Sequence, residues 1–242
     1  MTAPVFLAAD VSGDRIVLAG PEGHHAATVR RVRVGEEVHL VDGRGTRATC
    51  TVAAVQHDVV ELVVVRRTTE PQPAPRVILA QALAKGERGE LAVELATEVG
   101  VDDVVPWSAE RCIVKWEGER GAKALRRWRS TAREAGKQSR RSWLPVVRDL
   151  HTTGELLELV RGASAALVMH ESASQPLARL TLPTEGDVLL VVGPEGGITD
   201  AELALLAAAG GTPVRLGASV LRTSTAGAAA VAVVSALTNR WR

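Results

Sequence analysis

Val188-Leu-Leu-Val-Val-Gly-Pro-Glu-Gly-Gly-Ile-Thr-Asp-Ala-Glu202 opens as an unbroken apolar run of strand length. A run without polar alternation marks a strand buried on both faces, as in parallel sheets covered by helices. The run breaks at Gly193-Pro194, turns through Gly196-Gly197 and enters a helix. Thr199 and Glu202 have the spacing of a capping box, and Ile198 and Leu203 flank it as a hydrophobic staple. A buried strand feeding a glycine-rich turn and a helix is where α/β proteins bind small molecules, because glycines let backbone groups approach a ligand. The same turn also occurs as a plain tight connection, so it names no ligand by itself.

A second stretch completes the first: Val214-Arg-Leu-Gly-Ala-Ser-Val-Leu-Arg-Thr-Ser-Thr-Ala226. Upstream, strands and helices alternate from Arg76 on. Strands are predicted over 77–81, 104–107, 165–169, 188–192 and 214–216. Helices are predicted over 90–99, 123–138, 200–209 and from about residue 225. In the helix over 90–99, Leu91, Leu95 and Val99 share one face, and Gly100 stops it. The helix over 123–138 has a core face of Leu125, Trp128, Ala132 and Ala135, with Arg126, Arg127, Arg129, Arg133 and Lys137 outside it. This alternation predicts an α/β domain with a mostly parallel sheet and helices on both faces. Residues 1 to about 70 read instead as all-β, with short strands at 15–18, 38–41, 48–53 and 59–65, punctuated by Gly13-Asp14, Gly35 and Asp42-Gly-Arg-Gly45. A small barrel with a short helix over 24–31 is the expectation. Glu70-Pro-Gln-Pro-Ala-Pro75 is an extended linker, which divides the chain into predicted domains 1–72 and 73–242.

The composition, 46% hydrophobic and 24% charged, is that of an ordinary globular protein. With one Phe and no Tyr, the core must be aliphatic. Cys50 and Cys112 lie far apart without metal spacing, which fits a reducing cytoplasm. Met1 to Asp10 lacks the basic and apolar regions of a secretory leader, and no apolar run is long enough to span a bilayer. The net charge is +1, yet the segment from Arg111 to Arg148 carries 12 Lys and Arg against 3 Glu. Such a block points to an anionic partner, nucleic acid above all, or else to a solvated helix face.

Several chemistries are excluded. There is no Gly-Lys-Ser/Thr phosphate loop and no Gly-x-Ser-x-Gly nucleophile elbow. The glycines stand near the C-terminus, where a dinucleotide fingerprint does not belong, and Arg215 occupies the place an acid would take. His24-His25 has no matching ligands in sequence, so no metal site is expected.

Gly193-Pro-Glu-Gly-Gly197 followed by Leu216-Gly217 and Leu221-Arg-Thr-x-Thr-Ala226 resembles the bacterial 16S rRNA uridine-N3 methyltransferases, members of the trefoil-knotted SPOUT class. The resemblance runs through most of the chain. His24-His25 with Val29-Arg30, Val34-Gly35 and Asp42-Gly43 is similar to the family's N-terminal PUA-like RNA-binding domain. Ala84-Lys-Gly-Glu-Arg88, Ala96-Thr-Glu-Val-Gly100, Ser108-Ala-Glu-Arg-Cys112 and the basic helix from Trp128 resemble its middle blocks.

The resemblance implies methyl transfer from S-adenosylmethionine to N3 of a uridine in the decoding region of small-subunit rRNA, by a homodimer. It implies a cofactor pocket of three loops. The first holds Met169, His170 and Glu171, and the second holds Gly193, Pro194, Glu195, Gly196 and Gly197. The third holds Leu216, Gly217, Val220, Leu221, Arg222, Thr223, Thr225 and Ala226. Loss of the N3 proton leaves negative charge on the uracil, which a cation such as Arg222 would stabilise. Glu195 is the candidate base, or else it bonds loop backbone. Arg222 could instead form a salt bridge, and Thr223 and Thr225 could simply cap the last helix.

RNA is expected to bind along three groups of cations. They are Arg30, Arg31 and Arg33; Lys85, Arg88, Arg111 and Lys115; and Arg126, Arg129, Arg133, Lys137, Arg140 and Arg141. Two departures from the family's pattern stand out. Ser224 lies between the two threonines where relatives often carry an acid, and Arg140 precedes Arg141 where they often carry glycine. The competing readings are a non-catalytic ribosome-assembly factor and a knotted methyltransferase of tRNA or 23S rRNA.

Overall fold

The computed structural model describes residues 3–241. Met1, Thr2 and Arg242, at the outer ends of the two predicted domains, lie outside the described residues. The chain forms two compact units. One comprises the residues up to Gln72 together with Gly136–Leu144, the other Pro73–Ala135 and the residues from Pro145 on.

The first unit contains β1 (Val5–Leu7), β2 (Arg15–Leu18), α1 (Gly20–His24), β3 (Glu37–Val41), β4 (Thr46–Gln56) and β5 (Val59–Thr69). The hydrogen-bonded order is β1-β3-β4-β5-β2. Only the β1–β3 pair is parallel. Register shifts at Thr49/Cys50 and Val52/Ala54 mark bulges in β4, which add twist to the long β4–β5 ribbon. β1 and β2 are the sheet's edges and do not pair, so the hydrogen-bonded order is an open sheet and not the closed barrel expected. Phe6, the chain's one phenylalanine, sits in the core with Leu18, Leu40 and Leu62. The helix starts at Gly20, four residues before its expected start, with Pro21 in its first turn, and continues as a π-type turn to Val29. Proline costs nothing there, because the first-turn N–H has no helical partner to lose.

The second unit contains β6 (Arg76–Ala82), α2 (Arg88–Glu98), β7 (Asp103–Trp107), α3 (Gly118–Gln138), β8 (Val146–Val147) and α4 (Thr153–Gly162). It continues with β9 (Ala165–Met169), β10 (Asp187–Val192), α5 (Asp200–Ala208), β11 (Thr212–Val214) and α6 (Thr223–Leu237). All pairs in the order β11-β9-β10-β6-β7-β8 are parallel. In β10, Val188 to Val192 are all buried, as the apolar run predicts. Among the described residues no helix is long and apolar enough to cross a membrane.

Helix α2 corrects the sequence reading. Its buried face is Gly89, Ala92, Val93, Ala96 and Thr97, while Leu91 is 41% exposed. The cause is α6, the Ala-rich helix against which α2 packs. Two helices approach closely through small side chains, so the leucine stripe is not the core stripe here. Gly227 lets α6 lie on β6, since a Cβ there would stand 2.8 Å from Leu79 Cδ2.

Lys137 is the second correction. The helical wheel put it outside the core stripe, but it belongs to the last turn of α3, inside the first unit, and is buried. Its ammonium donates to Glu22 Oε1 at 2.9 Å. A lysine so enclosed is committed to its carboxylate partner, because separating the pair would strand a buried charge. It does not reach an RNA phosphate.

Candidate active site

The register sets Met169, Val192 and Val214 abreast at the C-terminal ends of β9, β10 and β11. The three loops that leave them therefore start side by side, which is where parallel α/β sheets bind ligands. A cavity of about 590 Å³ lies among these loops. All the predicted cofactor-binding residues line it except Thr225, which lies on the exposed side of α6.

The second loop is shaped by close approach. A Cβ on Gly193 would come within 2.7 Å of Ile198 Cγ1, and Gly197 has φ +75, a backbone state that favours glycine. The capping box then starts α5. Thr199 accepts from the Glu202 N–H, and Glu202 accepts from the Thr199 N–H at 3.1 Å. Glu195 is anchored, because its Oε1 accepts from the Lys85 N–H at 3.1 Å and faces the Arg88 guanidinium at 3.7 Å. Arg111 donates to Gly196 O at 3.0 Å, so its side chain runs along the loop.

The third loop is pinned on two sides. Arg215 exchanges backbone bonds with the β9–β10 connection, donating to Gln175 O and accepting from Leu177 N–H. Further on, the Thr223 hydroxyl donates to Gly193 O at 2.8 Å and accepts from Gln81 Nε2 at 2.9 Å. The last segment is thus bonded both to the β9–β10 connection and to the loop that leaves β10. Thr223 therefore does not cap α6. The N-cap is Arg222, and α6 has no side-chain cap. Ser224, at the position of the missing acid, is buried, where an ionised carboxylate would be costly.

Arg222 lines the cavity. Among the described residues its guanidinium makes no hydrogen bond or ion pair. A cation at a helix N-terminus opposes the positive end of the helix dipole. Arg222 is exposed at the N-cap of α6, so its guanidinium is open to an anionic group that enters the cavity.

Sequence reading missed several wall residues. Arg88 and Arg111, assigned to RNA, border this cavity, together with Asp200, Arg215 and Ser219. Gln81, fully buried at the end of β6, was missed altogether. A polar residue closing an apolar strand run was the one available signal. His24 pairs with Asp58 at 3.0 Å, and His25 packs its ring edge-on against Phe6, so each has its own partner. In the first unit Arg30, Arg31, Arg33 and Arg140 are exposed and Arg141 is half-buried. In the second, Lys85, Arg88, Arg111, Lys115, Arg126, Arg129 and Arg133 are exposed, with Arg129 tied to Asp149 at 2.9 Å.

An all-parallel sheet with three cavity-forming loops at the ends of neighbouring strands is the architecture of a SPOUT-like RNA methyltransferase domain. Residues 70–235 match the RNA methyltransferase domain model, and residues 18–65 match the RNA methyltransferase PUA domain model. The chain is 47% identical over 234 residues to ribosomal RNA small subunit methyltransferase E of Mycobacterium bovis, covering 95% of this chain and 89% of that protein. It is 32% identical to the Bacillus subtilis protein of the same name, covering 93% and 91%. The chain belongs to the ribosomal RNA small subunit methyltransferase E family. Its fold superposes on the Neisseria gonorrhoeae member bound to S-adenosylmethionine with a TM-score of 0.87 at 28% identity, covering 98% of each chain. A Legionella pneumophila methyltransferase in complex with the same cofactor gives a TM-score of 0.87 at 29% identity, covering 98% of this chain and 99% of that one.

Proposed function

We propose that this protein methylates N3 of a uridine in the decoding region of 16S rRNA, in the small ribosomal subunit, using S-adenosylmethionine. The observation that carries the reading is the unpartnered Arg222 guanidinium in a cavity built from three backbone-rich loops. That cavity, about 590 Å³, falls in the range of roughly 300–1,000 Å³ common to small-molecule sites. Its glycine-rich walls offer backbone groups to an adenosine, while Ile198 and Leu216 offer apolar contact. When bound, the cofactor supplies an electrophilic methyl group.

The chain's own residues have three tasks. The loops align an in-line approach of the uracil nitrogen. Arg222 stabilises the charge that spreads to O2 and O4 as the N3 proton leaves. Glu195 takes that proton, its carboxylate held in place through the Lys85 N–H and Arg88. The exposed arginines and lysines named above hold the RNA backbone, and their contribution weakens with salt.

The protein works in the cytoplasm as a homodimer. Val220 is 78% and Trp241 56% exposed, apolar surface of the kind a partner subunit covers.

The test is Arg222→Ala. Transfer to small subunits should fall by about 10²-fold or more, with S-adenosylmethionine still bound. Wild-type turnover in that variant would remove Arg222 from the mechanism.

A further inference from the structure

A second cavity, of about 200 Å³, lies outside the cofactor pocket. Trp116 and Trp128 form one wall, edge to face with centroids 5.0 Å apart. Ala84, Gly86, Val114 and Ala124 line the floor and sides, with Glu90 and Arg127 at the mouth. Small residues beside two indoles leave a slot for a flat ring. At about 30 Å³ per water, the slot has room for roughly six or seven waters, close to the atom count of one pyrimidine ring with its substituents. A sugar and phosphate would remain outside.

The rim is polar and carries both signs of charge. Arg127 pairs with Glu90 at 3.2 Å across it. Arg120 and Lys123 are exposed on the same stripe of α3 as Arg127, and Lys115 is exposed next to Trp116. Glu87, Glu117 and Glu119 are exposed nearby in sequence and balance the charge overall, but Arg120 and Lys123 stand with Arg127 on one stripe of α3. The slot also adjoins the catalytic machinery through one short loop. Ala84 and Gly86 flank Lys85, whose N–H holds Glu195.

We propose that this slot is a second nucleobase subsite, which takes an unpaired base of the RNA other than the methylated uridine. The inference rests on the methyltransferase reading above. Trp116 supplies the stacking surface in a chain with no tyrosine. The Glu90 carboxylate accepts from an exocyclic amine, and among the pyrimidines that the slot has room for only cytosine offers one. Uracil would turn carbonyl oxygens toward the same carboxylate. The phosphates on either side meet Arg120, Lys123 and Arg127. Occupying the slot would fix the RNA against the loop that anchors Glu195.

The test uses the full-length protein, S-adenosylmethionine and small ribosomal subunits that lack the modification. Ultraviolet crosslinking followed by peptide mass spectrometry should place a nucleotide other than uridine on the peptide carrying Trp116. Trp116→Ala, which removes the wall, and Ala124→Leu, which fills the slot, should each raise KM for the subunits about tenfold, with kcat and cofactor Kd unchanged. Wild-type protein that methylates subunits with no crosslink at residues 114–128 would overturn the subsite and leave the methyltransferase reading intact. Wild-type protein that methylates nothing would overturn both. The wild-type crosslink decides the matter even if a variant fails to fold.

Discussion

Thr223→Val isolates the bond that joins the second and third loops. Valine keeps the volume of threonine and removes only the hydroxyl. That hydroxyl donates to Gly193 O at 2.8 Å and accepts from Gln81 Nε2 at 2.9 Å. Gln81 is fully buried, and its Oε1 has no partner among the described residues. Without the hydroxyl, its amide keeps only the longer contact to Ala82 O at 3.3 Å. Leaving a buried donor unpaired costs about 1–3 kcal/mol, whereas the half-exposed Gly193 carbonyl can turn to water. A loss of about 2 kcal/mol lowers Tm by roughly 4–8 °C for a chain of this size. Gly193 opens one cofactor loop and Thr223 closes another, so S-adenosylmethionine affinity should fall about tenfold if the 1–2 kcal/mol of the bond is lost from the bound state. Scanning calorimetry and titration calorimetry read the two effects. Adding Gln81→Leu removes the stranded amide, so the double variant should lose about 1 kcal/mol less than the sum of the singles. A Tm and cofactor Kd equal to wild type, or strictly additive losses, would refute the coupling.

Other consequences can be tested separately. Gly196→Val places a Cβ 3.2 Å from Arg111 Cβ, so Arg111 or the loop must give by a few tenths of an ångström and the branched side chain crowds the cavity wall; cofactor binding should weaken, and an unchanged Kd would move the pocket elsewhere. Glu195→Gln keeps an oxygen for the Lys85 N–H but takes no proton, and single-turnover transfer should slow by about 10²-fold; an unchanged rate would leave Glu195 as a loop anchor only. His39 is held below its usual range, first by burial and then by the nearby Arg47 guanidinium. Its neutral form is the folded form, so its contribution to stability is present above the unfolded value of about 6.5 and lost as pH falls through the lower folded one. Denaturant titrations of His39→Gln should therefore decline less steeply on the acid side than wild type, and parallel curves would refute this.

The parts of the molecule that were legible in sequence are those governed by local rules. The apolar run of β10, the glycine turn after it and the Thr199–Glu202 box depend on residues close in the chain, and each forms as read. Helix α4 follows the same local rule, since Thr152 and Glu155 form a capping box at its start. What stayed hidden depends on partners distant in sequence. Nothing near Leu91 reveals that α6 packs on the small face of α2. Nothing in the spacing of residues 136–144 shows that they fold with the N-terminal sheet or that Lys137 meets Glu22. That the loops after β9, β10 and β11 form one cofactor-sized cavity came from family resemblance, because no periodicity encodes which strand ends lie abreast. The cavity wall follows the same division: the loop motifs named most of it, whereas Arg88 and Arg111 reach it from elements read only as basic.

The most direct test is methyl incorporation from labelled S-adenosylmethionine into purified small subunits lacking the modification, followed by nucleoside mass spectrometry of the 16S rRNA. The account predicts 3-methyluridine at a single site in the decoding region, formed by wild-type protein and not by Arg222→Ala. Label in another nucleoside would contradict the assigned atom. No label at all, with the subunits still bound, would contradict the enzyme and favour an assembly factor.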